Sequence, residues 1–225
     1  MRIFFLAICL SSCLFTEVVW GQLTATQKLI HDEIFRLGGD FETGESPALV
    51  QFIGPKFKVS DFEMLTHLPT TQTFYAKRCK LNKFSIECVS KIEGLVELGI
   101  VECEVDGDCF SSLRENKKLR SLILDDVKIS KRMMVEIAQL DQLNELVLDY
   151  SVVPANFKSE LVKMKSLKKC HATACGDITD KDVEELKEAF SEVDFTVTEV
   201  SMAEIEARRT KDVNQAKKKQ DSVSK

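Results

Sequence analysis

Proline and glycine are scarce in this chain, with four prolines and nine glycines among 225 residues. That excludes collagen-like and linker-dominated sequence. Histidine is scarcer still: His31, His67 and His171 lie far apart, and none has a neighbour that would complete a nucleophile–base–orienter arrangement. No G-x-S-x-G motif and no Gly-rich phosphate loop occurs. No C-x-x-C pair occurs either, so a four-ligand structural zinc site has no starting point. Positive charge is not in excess: 31 basic against 36 acidic residues give a net charge of −5, and nucleic acid is not an expected partner. After the N-terminal segment no apolar run is long enough to span a bilayer. The expectation from these lacks is a non-enzyme with no cofactor and no metal.

What is present begins with that N-terminal segment. Met1-Arg2 is a small positive start, and Ile3 to Phe15 is almost unbroken apolar sequence, too short to cross a membrane comfortably. Small residues at Val19-Trp20-Gly21 offer a cleavage point before Gln22, which reads as a secretory signal over 1–21. Two other readings stand beside it: an anchor that is never cut, and lipoprotein processing at Cys13 after Leu10-Ser11-Ser12. Export leads us to expect a secreted protein or one of the periplasm or cell envelope, with no membrane span after signal cleavage. The whole sequence is 44% hydrophobic and 30% charged, enough to bury a core and stay dissolved.

A repeat organises that core. Leu95, Leu119, Leu143 and Leu167 are each 24 residues apart, and Leu98, Leu122, Leu146 and Cys170 follow at the same step. Ile100, Leu124, Leu148 and Ala172 form the next column, and Cys103, Val127, Ser151 and Cys175 the one after. One step backwards the pattern finds Phe74, Ala76, Cys79, Leu81, Ile86, Val89 and Ile92, and another step finds Val50, Phe52, Phe57, Phe62, Leu65 and Leu68. Forwards, one inserted residue near Gly176 restores register at Ile178, Val183 and Leu186 and places Phe195 and Val197 on a final strand. Alternation early in each unit predicts a strand, and spacing of three later in the unit, as in Ile137 and Leu140, predicts a helix. Ser130, Thr179 and Asp180 are suited to open such helices.

The unit Leu119-Arg-Ser-Leu122-Ile-Leu124-Asp-Asp-Val127-Lys-Ile129 resembles the leucine-rich repeat, in the ribonuclease-inhibitor-like short form found in exported bacterial proteins. The resemblance spans roughly residues 45–198, with departures at Pro47, Thr71, Ser151 and Cys170. It implies an α/β solenoid with a curved parallel sheet on the concave face and short helices on the convex face, about six repeats plus a closing strand. Units of this kind bury their apolar sides only by stacking. Residues 22–44 are expected to form an N-terminal cap helix, started by Thr24 or Thr26 and stopped by Gly38-Gly39. Residues 199–225 are expected to be a polar tail, partly disordered.

The concave sheet is the recognition surface that the resemblance implies. Its outward positions gather Tyr75, Glu97, Val101, Ile123, Asp125, Val147, Asp149 and His171. Acid concentrates in the middle units at Glu97, Glu102, Asp125, Asp126, Glu145 and Asp149, while Lys77, Arg78 and Lys169 sit at the edges. The expectation is an acidic-rimmed apolar groove for a basic or amphipathic protein or peptide. The competing reading makes Ile123 and Val147 mere strand formers, shielded by neighbours. The alternative function is a structural or envelope-associated protein with no specific soluble ligand. Beyond the signal there are six cysteines, Cys79, Cys88, Cys103, Cys109, Cys170 and Cys175. Cys79, Cys103 and Cys175 share one inward column and are expected as free buried thiols, with a Cys79–Cys103 bridge between adjacent units as the other option, and a Cys88–Cys109 bridge is left open.

Overall fold

The computed structural model of the chain describes residues 24–41, 48–175, 178, 180–189 and 194–198, the last segment by its backbone alone. The expected signal over 1–21, Thr179 and the tail over 199–225 lie outside the described residues. The chain is α/β. Seven strands run parallel: β2 (Leu49–Ile53), β3 (Thr73–Lys77), β5 (Glu97–Val101), β7 (Ser121–Asp125), β8 (Glu145–Asp149), β9 (Lys169–Thr173) and β10 (Asp194–Thr198). An eighth strand, β1 (Asp40–Phe41), pairs antiparallel with β2 and was not expected. The sheet is open, ordered β1-β2-β3-β5-β7-β8-β9-β10, and β4 (Lys80–Leu81) pairs with β6 (Glu104–Val105) in a separate two-stranded ladder.

Register is where the periodicity becomes physical. Val50 faces Phe74, Phe74 faces Leu98, and Leu98 faces Leu122, so each step across the sheet is 24 residues. The last step pairs Cys170 with Phe195, a step of 25 that agrees with one inserted residue near Gly176. In β2, β3, β5, β7, β8 and β9 odd-numbered positions face outward, and even-numbered ones join a single apolar core with residues of the helical segments. At the N-terminal end the core is aromatic: Phe52 stacks on Phe57 at 4.2 Å between centroids, and Phe62 and Phe74 meet it edge-on. Ala76, the ladder partner of Phe52, leaves room for these rings.

The helical part of each unit follows its capping. Helix α1 (Ala25–Leu37) begins at Thr24, whose hydroxyl accepts from Gln27 N–H, and ends at Gly38 in the left-handed region. Helix α2 (Lys83–Ser90) is capped by Asn82 and α3 (Lys131–Ala138) by Ser130. Where the preceding residue is Lys58 or Cys109 its side chain makes no cap, and residues Val59–His67 and Phe110–Glu115 are 3-10 turns rather than the expected α-helices. Helix α4 (Phe157–Leu161), also without a side-chain cap, has five residues, and α5 (Asp180–Ala189) precedes the last strand.

Each unit leaves the sheet through the same turn. Arg78, Glu102, Asp126, Tyr150 and Ala174 have φ between +51° and +56°, and Gly54 has +98°. Left-handed backbone costs a residue with a β-carbon about 1–2 kcal/mol. Interstrand bonds hold the turn in place: Arg78 N–H donates to the Val101 carbonyl at 3.0 Å, Glu102 to Asp125 at 2.7 Å, and Asp126 to Asp149 at 2.8 Å. The next residue then points inward. Cys79, Cys103, Ser151 and Cys175 each donate to a strand carbonyl 27 residues earlier, on Phe52, Ala76, Leu124 and Leu148. Ser151 Oγ also accepts from Val127 N–H at 3.1 Å.

Two hydroxyls in this core therefore behave oppositely. Ser151→Ala removes bonds to buried backbone groups and should cost about 1–3 kcal/mol in chemical denaturation. The Thr71 hydroxyl, in the column that continues with Leu95, Leu119, Leu143 and Leu167, is buried with no partner among the described residues. Thr71→Val should stabilise the protein by about 1–2 kcal/mol in the same assay.

Candidate functional site

Strand alternation carries all eight expected site residues to the outward face of the sheet. Tyr75, Gly99, Ile123, Val147 and His171 make one row across β3, β5, β7, β8 and β9. Glu97, Ser121, Glu145 and Lys169 make the row nearer the strand starts, and Lys77, Val101, Asp125 and Asp149 the row at the strand ends. At about 4.8 Å per step, Tyr75 and His171 are roughly 19 Å apart.

The apolar floor is shallower than an open groove would be. Val101, Ile123 and Val147 are half-buried. The large hydrophobics that stand out into solvent are elsewhere, with Leu29 and Phe35 on α1 the most exposed. These side chains build the strands, and their outer edges still meet water.

The acid is not uniform. Glu102 takes Lys77 Nζ at 3.1 Å and Arg78 Nε at 2.9 Å, so the expected basic edge is spent on neutralising one of the expected acids. Burial pushes the Glu102 carboxyl up, but the two cations outweigh it and hold it below the usual carboxylate range. Asp149 Oδ1 accepts from Thr173 N–H at 3.2 Å, which ties the carboxylate to the end of β9. Asp125 lies beside Asp149 in the ladder, so two carboxylates share the rim of the middle units.

Tyr75 is fixed more tightly than its position in the repeat suggested. Its hydroxyl donates to Glu97 Oε1 at 2.6 Å, and its ring lies over Gly99. A β-carbon on Gly99 would stand 2.1 Å from Tyr75 Cδ1, so only glycine leaves the ring this seat. Burial, the bond to Glu97 and the charges of Glu97 and Glu145 all push the phenol above its usual range. Sequence reasoning passed over Gly99 and Ser121, although both already stood in the outward columns. Their small size was the available signal.

All six described cysteines are free and buried. Burial pushes Cys109 and Cys175 up to about 12, which keeps them as thiols at neutral pH. Among the described residues no three His, Cys, Asp or Glu side chains converge as a metal site, and no helix is long and apolar enough to cross a membrane. No protein-family model matches the chain, and no curated protein matches it in sequence.

Tyr75 has a measurable consequence. Its folded pKa is raised above the unfolded value of about 10, so its contribution to stability is complete below about pH 10 and is lost as pH rises through the folded value. The chain has two tyrosines. Tyr75→Phe should remove the phenolate absorbance that appears above the ordinary tyrosine range and weaken the alkaline loss of stability, both read by spectrophotometric titration.

Proposed function

We propose that this chain is an exported leucine-rich-repeat solenoid that binds a basic or amphipathic protein segment on its sheet, and that it is not an enzyme. The observation that carries the reading is the outward face itself. Three side-chain columns run in register across consecutive parallel strands, with acid around a half-buried apolar floor. Side chains on adjacent strands are held by ladder bonds, so the surface loses little freedom when a partner seats on it. The 24-residue step and the buried Cys/Ser column support the family reading, and the apolar segment near the N-terminus supports export.

The charge of the rim supplies orientation and association rate more than raw affinity. Reversing it is the direct test. Partners captured by the purified mature protein should bind Asp125→Lys and Asp149→Lys at least about tenfold more weakly, a loss of roughly 1.4 kcal/mol, with thermal stability kept. Unchanged binding of every captured partner to both variants would remove the outward face as the recognition surface.

A further inference from the structure

One row of the outward face contains a polar group that the fold itself leaves unanswered. Ser121 opens β7 and is 6% exposed, and its hydroxyl has no hydrogen-bond partner. The ladder places Glu97 on one side of it and Glu145 on the other. Neighbouring strands are about 4.8 Å apart, so the two carboxylates straddle the hydroxyl with backbones roughly 10 Å from each other. Glu97 is oriented by the Tyr75 hydroxyl at 2.6 Å. Among the described residues Glu145 makes no ion pair within 4.0 Å, and beyond it the row continues with Lys169 and then Asp194 of β10.

A buried hydroxyl between two carboxylates is short of a donor. A guanidinium has five N–H donors in one plane and no acceptor, and can answer Ser121 and both glutamates together, whereas an ammonium has three. Two residues along β7 on the same face is Ile123, beside Val147. A segment that seats a cation at Ser121 therefore lays its next side chain on apolar surface.

We propose that Glu97, Ser121 and Glu145 form the seat for a single arginine of the bound segment, with an aliphatic neighbour of that arginine resting on Ile123 and Val147. The inference rests on the binding role proposed for this face and names the side chain that the face selects. Ser121 accepts one guanidinium N–H, the glutamates accept the others, and the Tyr75 hydroxyl holds the Glu97 carboxylate in one orientation.

The test uses the mature protein, isotope-labelled for amide shifts, and two capped tripeptides. One has arginine between valine and isoleucine. The other has citrulline in its place, which keeps the shape without the charge. The arginine peptide should shift the amides of Glu97, Ser121 and Glu145, and the citrulline peptide should not. Glu145→Gln should weaken the arginine peptide about tenfold and Ser121→Ala about threefold. Ser121→Ala should at the same time raise the melting temperature, because it removes an orphaned buried hydroxyl, and a purely structural serine would not weaken the peptide. Equal shifts from both peptides, or peptide affinity unchanged by Glu145→Gln and Ser121→Ala, would overturn the seat. Shifts centred instead on Asp125 and Asp149 would overturn it while leaving the outward face as the binding surface. Loss of the face as a whole is read separately, from the captured partners and the Asp125 and Asp149 variants.

Discussion

The left-handed turn that ends each strand is the constraint on which the rest of this molecule depends. A parallel strand must leave its sheet and return alongside itself, and here it does so in 24 residues. The turn at Arg78, Glu102, Asp126 and Tyr150 directs the chain inward, and its N–H is held by the last carbonyl of the following strand. Every unit therefore makes its turn against the unit after it. Side chains with β-carbons tolerate the conformation because interstrand bonds and the inward column behind it over-determine the geometry. That column also answers buried strand carbonyls, which an entirely aliphatic interior would leave with fewer partners.

Once the step is uniform, chemistry on the outward face follows from arithmetic. Residues 24 apart become neighbours, so Glu97, Ser121, Glu145 and Lys169 meet although no local motif joins them. Charge on this face is sorted by row. The strand-end row holds Asp125 and Asp149 together with the ion-paired group of Lys77, Arg78 and Glu102, which keeps one net positive charge. The strand-start row alternates acid, hydroxyl, acid and base. A segment lying across the strands would meet a different sequence of charges in each row, which gives the face a direction.

Much of this was legible in the sequence because a period of 24 is redundant: Leu98, Leu122 and Leu146 each testify to the same ladder. The inserted residue near Gly176 was legible for the same reason, since one misfit among many matches stands out. What the repeat did not reveal lay where each unit is singular. After Gly54 the left-handed turns carry arginine, glutamate, aspartate, tyrosine and alanine, not the glycine that ordinarily marks such a turn. The two 3-10 turns follow from lost caps at Lys58 and Cys109, while the periodicity of their apolar residues is unchanged. Strand β1 arises only because the chain after α1 happens to run back along β2. At the site, the eight expected residues share a face, but the bond from Tyr75 to Glu97 and the orphaned Ser121 hydroxyl depend on rotamers, which no column count contains.

The buried column has one gap. Val127 has no polar hydrogen to give, so the bond that Cys103 makes to Ala76 has no counterpart from Val127 to Ile100. Short secondary ladders respect the same gap: β4 pairs with β6, and Lys128 bridges to Val152, while among the described residues nothing of this kind joins Glu104–Val105 to Lys128. The main sheet runs unbroken from β5 to β7 across this seam. On the helical side the same two units are joined by polar bonds of another kind: Phe110 N–H donates to Glu136 Oε2 at 2.9 Å, and Gln142 Nε2 donates to the Leu113 carbonyl at 2.9 Å. Glu97 and Ser121 lie on opposite sides of this seam, so a ligand bridging them would fasten the two units on the outward face as well.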